Sequence, residues 1–137
     1  VVFNGPNSYI SPNYYPTKHD NGRAVPTWNY VAVHVTGAIR FVHDTQWNIG
    51  MLQALTEQHE AHQPEPWSME DAPREYIDRM LPAIVGIELS NLRLSGKWKL
   101  SQNQPLENQH GVAESLAAEP DSDAQKIAKL VSGLIGR

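Results

Sequence analysis

An alternating stretch from Trp28 to Val35 constrains the fold of this chain more than any other feature. One set of side chains falls at Trp28, Tyr30, Ala32 and His34, and the other at Asn29, Val31, Val33 and Val35. A period of two in residues that favour extended backbone predicts a β-strand. We expect Gly37 to interrupt the strand before a neighbouring one from Ile39 to Val42.

Helix signals follow this region. Asp44 is a predicted N-cap for a helix that ends near residue 60, and Pro73 suits the first turn of a second helix. Residues 62–73 between them are polar and broken by proline, with Trp67 and Met69 as the large apolar anchors. This segment is predicted to be a loop or lid.

The second half of the chain contains both the two-residue period of strands and the apolar spacing of helices. Residues 84–89 and 92–100 predict two strands or one long bent strand, and a helix is expected over 108–118. Apolar positions within 123–135 have the spacing of a C-terminal amphipathic helix. Because strands and helices do not alternate regularly, we predict an α+β fold, largely antiparallel, with inserted and C-terminal helices. The length of 137 residues favours a single domain over 1–137.

Composition excludes several functions. The net charge is -4 and no stretch concentrates lysine and arginine, which makes direct DNA binding doubtful. The chain has no cysteine, hence no disulfide and no thiolate metal site. His59 and His62 lack the spacing and the third ligand of a metal site, so we predict none. No apolar run approaches the roughly 20 residues that span a bilayer, so a soluble, cytoplasmic protein without a membrane partner is expected.

Two tryptophan-bearing segments carry the chemistry. Val25-Pro-Thr-Trp-Asn-Tyr30 and Gly96-Lys-Trp-Lys-Leu-Ser-Gln-Asn103 each set aromatic rings beside amides, hydroxyls or lysines. Such residues suit a ligand that is flat and aromatic at one end and anionic at the other. A phosphorylated flavin has this form.

The chain resembles the PaiB-like proteins, which are FMN-binding negative transcriptional regulators with a split β-barrel fold. The resemblance covers positions 1 to about 118 and is carried by Phe3-Asn-Gly-Pro6, Tyr9-Ile-Ser-Pro12, Tyr15-Pro-Thr-Lys18, Val25-Pro-Thr-Trp-Asn-Tyr30, Val33-His34, Pro66-Trp67, Asp71-Ala-Pro73, Ile84-Val-Gly86, Gly96-Lys-Trp-Lys-Leu-Ser-Gln-Asn103 and Gly111-Val112. Proteins of this kind carry an additional part of the barrel before the Phe-x-Gly-Pro segment. We therefore expect the N-terminal barrel strands to be missing from this sequence.

The resemblance implies FMN as the cofactor and a homodimer whose flavin sites lie between subunits. Residue chemistry then suggests the roles. For the phosphate, the candidate cations are Lys18, Lys97 and Lys99, and the candidate hydroxyls are Ser11, Thr27 and Ser101. For the ring system, the candidates are Trp28 or Trp98 for contact and Asn29 or Gln102 for its polar edge.

The same residues allow other interpretations. The alternation after Trp28 would look the same in a strand that only packs a core. Lys97 and Lys99 share one face of a regular strand while Trp98 points to the other, so either the strand bends or two subunits divide the contacts. Three functions remain open: a flavin-binding transcriptional regulator, an FMN-dependent oxidoreductase of the split-barrel class, and an interaction protein with a vestigial pocket. No catalytic residue is assigned.

Overall fold

Three β-strands pair in the order β1-β2-β3 in a computed structural model that describes residues 1–136. The strands are β1 (Val2–Ile10), β2 (Thr27–Val42) and β3 (Gly86–Lys99). β1 runs antiparallel to β2, with Tyr9 opposite Trp28. The sheet is antiparallel and does not close into a barrel, an arrangement compatible with a split barrel. The predicted α+β class is confirmed.

Five α-helices are present among the described residues. They are α1 (Lys18–Asn21), α2 (Thr45–Glu60), α3 (Arg74–Met80), α4 (Leu106–Ala117) and α5 (Ser122–Ser132). Short 3-10 turns lie at Pro12–Tyr14, Met69–Asp71 and Leu81–Ala83. The Asp44 side chain accepts a hydrogen bond from the Trp47 amide at 2.7 Å, which confirms the predicted N-cap of α2.

Gly37 does not interrupt β2, contrary to the sequence-based prediction. The strand runs without a break from Thr27 to Val42. A Cβ atom at Gly37 would lie 2.5 Å from the carbonyl oxygen of Ser90, on β3. Glycine is therefore needed here because the two strands approach closely, and not because the chain turns.

β1 also runs without a break through Gly5 and Pro6, and its pairing with β2 becomes irregular between Asn4 and Asn7. A Cβ atom at Gly5 would lie 3.0 Å from that of Val31. An irregularity of this kind leaves a strand extended while it changes the register of pairing.

The chain divides into two compact units, of which the first contains residues 1–36 and the described residues from 93 onward. Its core lies where α5 packs on α4 and β1. Ile10, Val112, Ile127 and Val131 are completely buried there. The predicted amphipathic helix is present as α5 and begins one residue before the expected position, where Asp121 accepts a hydrogen bond from the Ala124 amide.

The second unit contains residues 37–92, including α2 and α3. Val42 and Leu81 are its buried apolar residues. Asn48 is also buried, and its amide nitrogen donates to the Ile84 carbonyl at 3.4 Å while its Oδ1 has no protein partner. None of the helices within residues 1–136 has the length and apolar character to cross a bilayer.

Candidate functional site

A polar pocket of about 460 Å³ lies in the first unit. It is lined by Thr27 and Asn29 of β2, Lys99 of β3, residues 101–108 after β3, and parts of segment 15–25. We call it the Lys99 pocket. The fold brings together four residues that were predicted from sequence to bind the ligand: Thr27, Asn29, Lys99 and Ser101. Lys99 hydrogen-bonds to Thr27 and Asn29 to Ser101, and the two partners of each bond are 72 residues apart in the sequence.

A buried polar pair forms one wall of the Lys99 pocket. The Asn29 side-chain amide is fully buried and donates to the Ser101 hydroxyl at 2.9 Å. Ser101 adopts a φ of 63°, a left-handed conformation that costs free energy for any residue with a Cβ atom. This conformation turns the chain after β3 and keeps the Ser101 hydroxyl against Asn29.

The electrostatics of the Lys99 pocket are positive. The Lys99 ammonium donates to the Thr27 hydroxyl, and Arg23 supplies a second cation. No aspartate or glutamate lines the pocket. The three ion pairs found within residues 1–136 involve neither Lys99 nor Arg23. In a chain with a net charge of -4, this combination of two cations and no carboxylate would locally favour an anion.

The first turn of α4 contributes to the same pocket. Pro105 precedes the helix, and no side chain caps its first amide groups. Unpaired N–H groups and the helix dipole favour a negative group at this position. Asn108 is buried in this turn and accepts hydrogen bonds from the amide of Thr17 at 3.2 Å and from its hydroxyl at 3.1 Å. These bonds fix segment 15–25 against α4.

Tyr15 provides a neutral hydroxyl at the pocket wall. Its side chain is nearly completely buried. Burial raises the pKa of the Tyr15 phenol above its ordinary value, and a smaller effect of the Ser101 hydroxyl lowers it. The phenol is therefore protonated near neutral pH and can donate a hydrogen bond.

The residues of the Lys99 pocket fit the phosphorylated end of FMN. A phosphate monoester near neutral pH carries close to two negative charges and binds cations together with hydroxyl and backbone N–H donors. The pocket offers Lys99, Arg23, Thr27, Ser101 and the start of α4. Its volume falls within the range of small-molecule sites. No tryptophan lines the pocket, so it lacks the residue that was predicted to contact the ring system of the flavin.

Trp28 lies instead in a groove of about 470 Å³ formed by β1 and β2, which we call the Trp28 groove. Tyr30 and His34 share this groove with Trp28. Trp28 is 53% exposed and packs edge-on against Tyr9, with ring centroids 6.1 Å apart. Because consecutive strand residues point to opposite faces, Trp28 points away from its neighbours Thr27 and Asn29 in the Lys99 pocket.

Trp98 and Gln102 lie in a third cavity, beside α5. The Gln102 side chain accepts from the Leu100 amide at 2.7 Å and donates to the Trp98 carbonyl at 2.6 Å. Gln102 therefore stabilises the turn after β3. Neither residue lines the Lys99 pocket or the Trp28 groove.

The remaining candidates are also outside the Lys99 pocket. Ser11 accepts a hydrogen bond from the Asn13 amide at 3.2 Å and caps the first 3-10 turn. Lys18 donates to the Asn13 side-chain carbonyl. Lys97 is exposed on β3. Within residues 1–136 no group of three or more potential metal-binding side chains lies together.

Arg23, Tyr15 and Asn108 line the Lys99 pocket without having been predicted from sequence. Arg23 stands in a loop two residues before the Val25–Tyr30 motif, which was a usable signal because phosphate sites favour arginine. Asn108 had no such signal, since its position depends on contacts with Thr17, which is 91 residues away.

The fold is α+β, and the lining of the Lys99 pocket has the residue types that suit a phosphorylated cofactor. Residues 1–91 match the model of the family described as "Putative FMN-binding domain". The match covers well over half of the chain, and the chain belongs to this FMN-binding family. FMN is the cofactor of the family.

The chain is similar to longer proteins of two fungi and of one bacterium. An uncharacterized protein of Emericella nidulans is 39% identical over 82% of this chain and 49% of its own length. An uncharacterized protein of Aspergillus fumigatus is 32% identical over 96% of this chain and 56% of its own. Protease synthase and sporulation protein PAI 2 of Bacillus subtilis is 30% identical over 96% of this chain and 60% of its own. The chain thus spans about half the length of the curated relatives it matches.

Proposed function

We propose that the Lys99 pocket holds the phosphate and ribityl chain of FMN. The observation that carries this proposal is the placement of two cations and no carboxylate in one pocket of an otherwise acidic chain. Lys99 binds the phosphate directly, assisted by Arg23 and the Thr27 hydroxyl. The hydrogen bond between Asn29 and Ser101 stabilises the pocket wall next to these groups.

We infer that the ring system of FMN contacts Trp28 of a second copy of the chain. Trp28 and Lys99 cannot line one pocket within a single chain because their side chains leave the sheet on opposite faces. The Trp28 groove is open, and its tryptophan is half exposed. A homodimer in which this groove faces the partner's Lys99 pocket completes a site with a charged end and an aromatic end.

The binding of FMN and of riboflavin to the variant Lys99→Met tests the phosphate contact. Riboflavin lacks the phosphate, so the variant should lower FMN affinity about 10- to 100-fold, as expected for a lost charge-assisted hydrogen bond, and leave riboflavin affinity unchanged. Both dissociation constants are measured by quenching of flavin fluorescence.

Lys97→Met is the matched control because it removes the same charge two residues away, on an exposed position of β3. It should leave the affinity for both flavins unchanged. Equal losses in the two variants would indicate a general electrostatic effect and contradict the proposed phosphate site. Loss of riboflavin affinity in Lys99→Met would contradict it as well.

We propose that the FMN-bound protein acts as a negative regulator of transcription through a partner. The resemblance to PaiB-like proteins supports this role, and the Bacillus subtilis relative carries the name protease synthase and sporulation protein PAI 2. The net charge of -4 disfavours a direct grip on DNA phosphates. We therefore expect the purified protein to show no salt-dependent binding to promoter DNA at physiological ionic strength in an anisotropy titration. Such binding would refute the indirect mechanism.

A further inference from the structure

A second, chemically different cavity lies within the second unit, which we call the apolar cavity. It has a volume of about 300 Å³. Its lining includes Leu52 of α2, Ile77 of α3 and the buried Leu81, together with Trp67 and Met69 from the proline-rich segment. Trp67 and Met69 are the two residues predicted from sequence to anchor this segment.

The wall that carries Trp67 and Met69 is held in place by local hydrogen bonds. The Trp67 amide donates to the Glu60 carboxylate at 3.0 Å, which ties the segment to the end of α2. The Ser68 amide donates to the Asp71 carboxylate at 2.8 Å in a capping box. Proline before Trp67 further restricts the backbone. These bonds and the proline restrict the segment in the conformation that lines the cavity, which would lower the entropic cost of binding.

The lining of the apolar cavity selects against charge. Its lining contains no aspartate, glutamate, lysine, arginine or histidine, and its polar side-chain groups belong to Thr56, Trp67 and Tyr76. A charged ligand would lose its hydration here without a compensating partner. Met69 and Met80 place two thioethers in the lining, and thioether sulfur makes favourable contacts with aromatic rings.

We propose that the apolar cavity binds small uncharged aromatic molecules of one or two rings. The volume lies at the lower end of the range for small-molecule sites, which limits the ligand to this size. The half-exposed rings of Trp67 and Tyr76 offer aromatic contacts, and Leu81 is the buried apolar residue of the lining. Every residue that lines the apolar cavity belongs to the second unit, and none of them lines the Lys99 pocket or the Trp28 groove.

The methionine methyl groups give a direct test with 2-naphthol as the probe. The chain has three methionines, of which Met69 and Met80 line the cavity and Met51 does not. In a protein labelled with ¹³C at the methionine methyls, addition of 2-naphthol at neutral pH should shift the Met69 and Met80 resonances through ring currents. The Met51 resonance should stay in place.

A charged probe and a substitution that fills the cavity provide two further tests. Naphthalene-2-sulfonate has the same ring system with a fixed charge and should bind at least about 10-fold more weakly than 2-naphthol. Ala72→Leu fills the cavity and should abolish the shifts, whereas Ala54→Leu, on an exposed position of α2 outside the lining, should preserve them.

Three results would overturn the proposal. They are the absence of shifts up to the solubility limit of 2-naphthol, equal shifts of all three methyl groups, and binding of the sulfonate as tight as that of 2-naphthol. Shifts that follow protein concentration alone would show that a second copy covers the cavity and would also overturn it. If Ala72→Leu does not fold, the comparison of 2-naphthol with naphthalene-2-sulfonate on the unmodified protein still tests the proposal.

Discussion

Asn29 and Ser101 are the residues on which the Lys99 pocket depends most directly. Both are buried, and each supplies the other's hydrogen-bonding partner across β2 and the turn after β3. A buried polar group that loses its partner keeps the full cost of its lost hydration. The pair is therefore more important to the shape of the pocket than its single bond suggests.

Replacement of Ser101 by alanine should lower the free energy of unfolding by about 1–3 kcal/mol, because the Asn29 amide is left unpaired in the interior. The substitution keeps the Cβ atom, so the left-handed backbone at this position is strained to the same degree in both proteins. Urea denaturation measures the change.

Ser95→Ala serves as the control for this measurement, since Ser95 is exposed on β3 and its replacement should change the free energy of unfolding by less than about 0.5 kcal/mol. Equal stability of Ser101→Ala and the unmodified protein would contradict the structural role given to the buried pair.

At the scale of elements, the close approach of α4 to the first 3-10 turn is the contact most sensitive to a single methyl group. A Cβ atom at Gly111 would lie 2.2 Å from the carbonyl oxygen of Tyr14 and 3.0 Å from Pro16. The backbone carbonyl cannot rotate away as a side chain would. Gly111 thus allows α4 to pack against the segment that lines the Lys99 pocket.

Replacement by alanine should have opposite effects on stability at Gly111 of α4 and at Gly50 of α2. Gly111→Ala should lower the free energy of unfolding by about 1–3 kcal/mol through overpacking. Gly50→Ala, in α2, should raise it by about 0.5–1 kcal/mol, because nothing lies within 4 Å of the new methyl group and alanine favours helix. Thermal and urea unfolding of both variants check the signs, and a stabilising Gly111→Ala would rule out the close packing of α4.

Elements with local signals were predictable from sequence, and those that depend on distant partners were not. The N-cap of α2 and the apolar spacing of α5 are local, and both predictions are confirmed. The continuity of β2 through Gly37 depends on Ser90 of the neighbouring strand, so it was missed. The candidate site divides in the same way. Residues within the two tryptophan-bearing motifs were found in part, while Asn108 was missed because only the fold brings it there.

At the scale of the whole molecule, the separation of Trp28 from Lys99 makes the proposed FMN site depend on two copies. An isologous dimer would present two identical sites, each with Lys99 from one subunit and Trp28 from the other. Light scattering at micromolar concentration should then give the mass of a dimer. A monomer mass would contradict the shared site.

Mixed dimers provide the sharper test of the shared site. Neither Lys99→Met nor Trp28→Ala alone should bind FMN at low concentration. After exchange of subunits in an equal mixture, half of the dimers contain both chains, and one of their two sites is intact. About a quarter of all sites should then bind FMN, as expected for isologous pairing. No recovery on mixing, with exchange verified, would place both residues in one chain or exclude one of them from the site.

The 72-residue separation between Thr27 and Lys99 has a kinetic consequence. Their pairing closes a long loop, and contacts between residues far apart in sequence slow folding, so this wall of the Lys99 pocket exists only once β2 and β3 have paired. FMN would then have no complete site on a partly folded chain. Its binding would therefore lower the unfolding rate of the folded protein and have little effect on the folding rate.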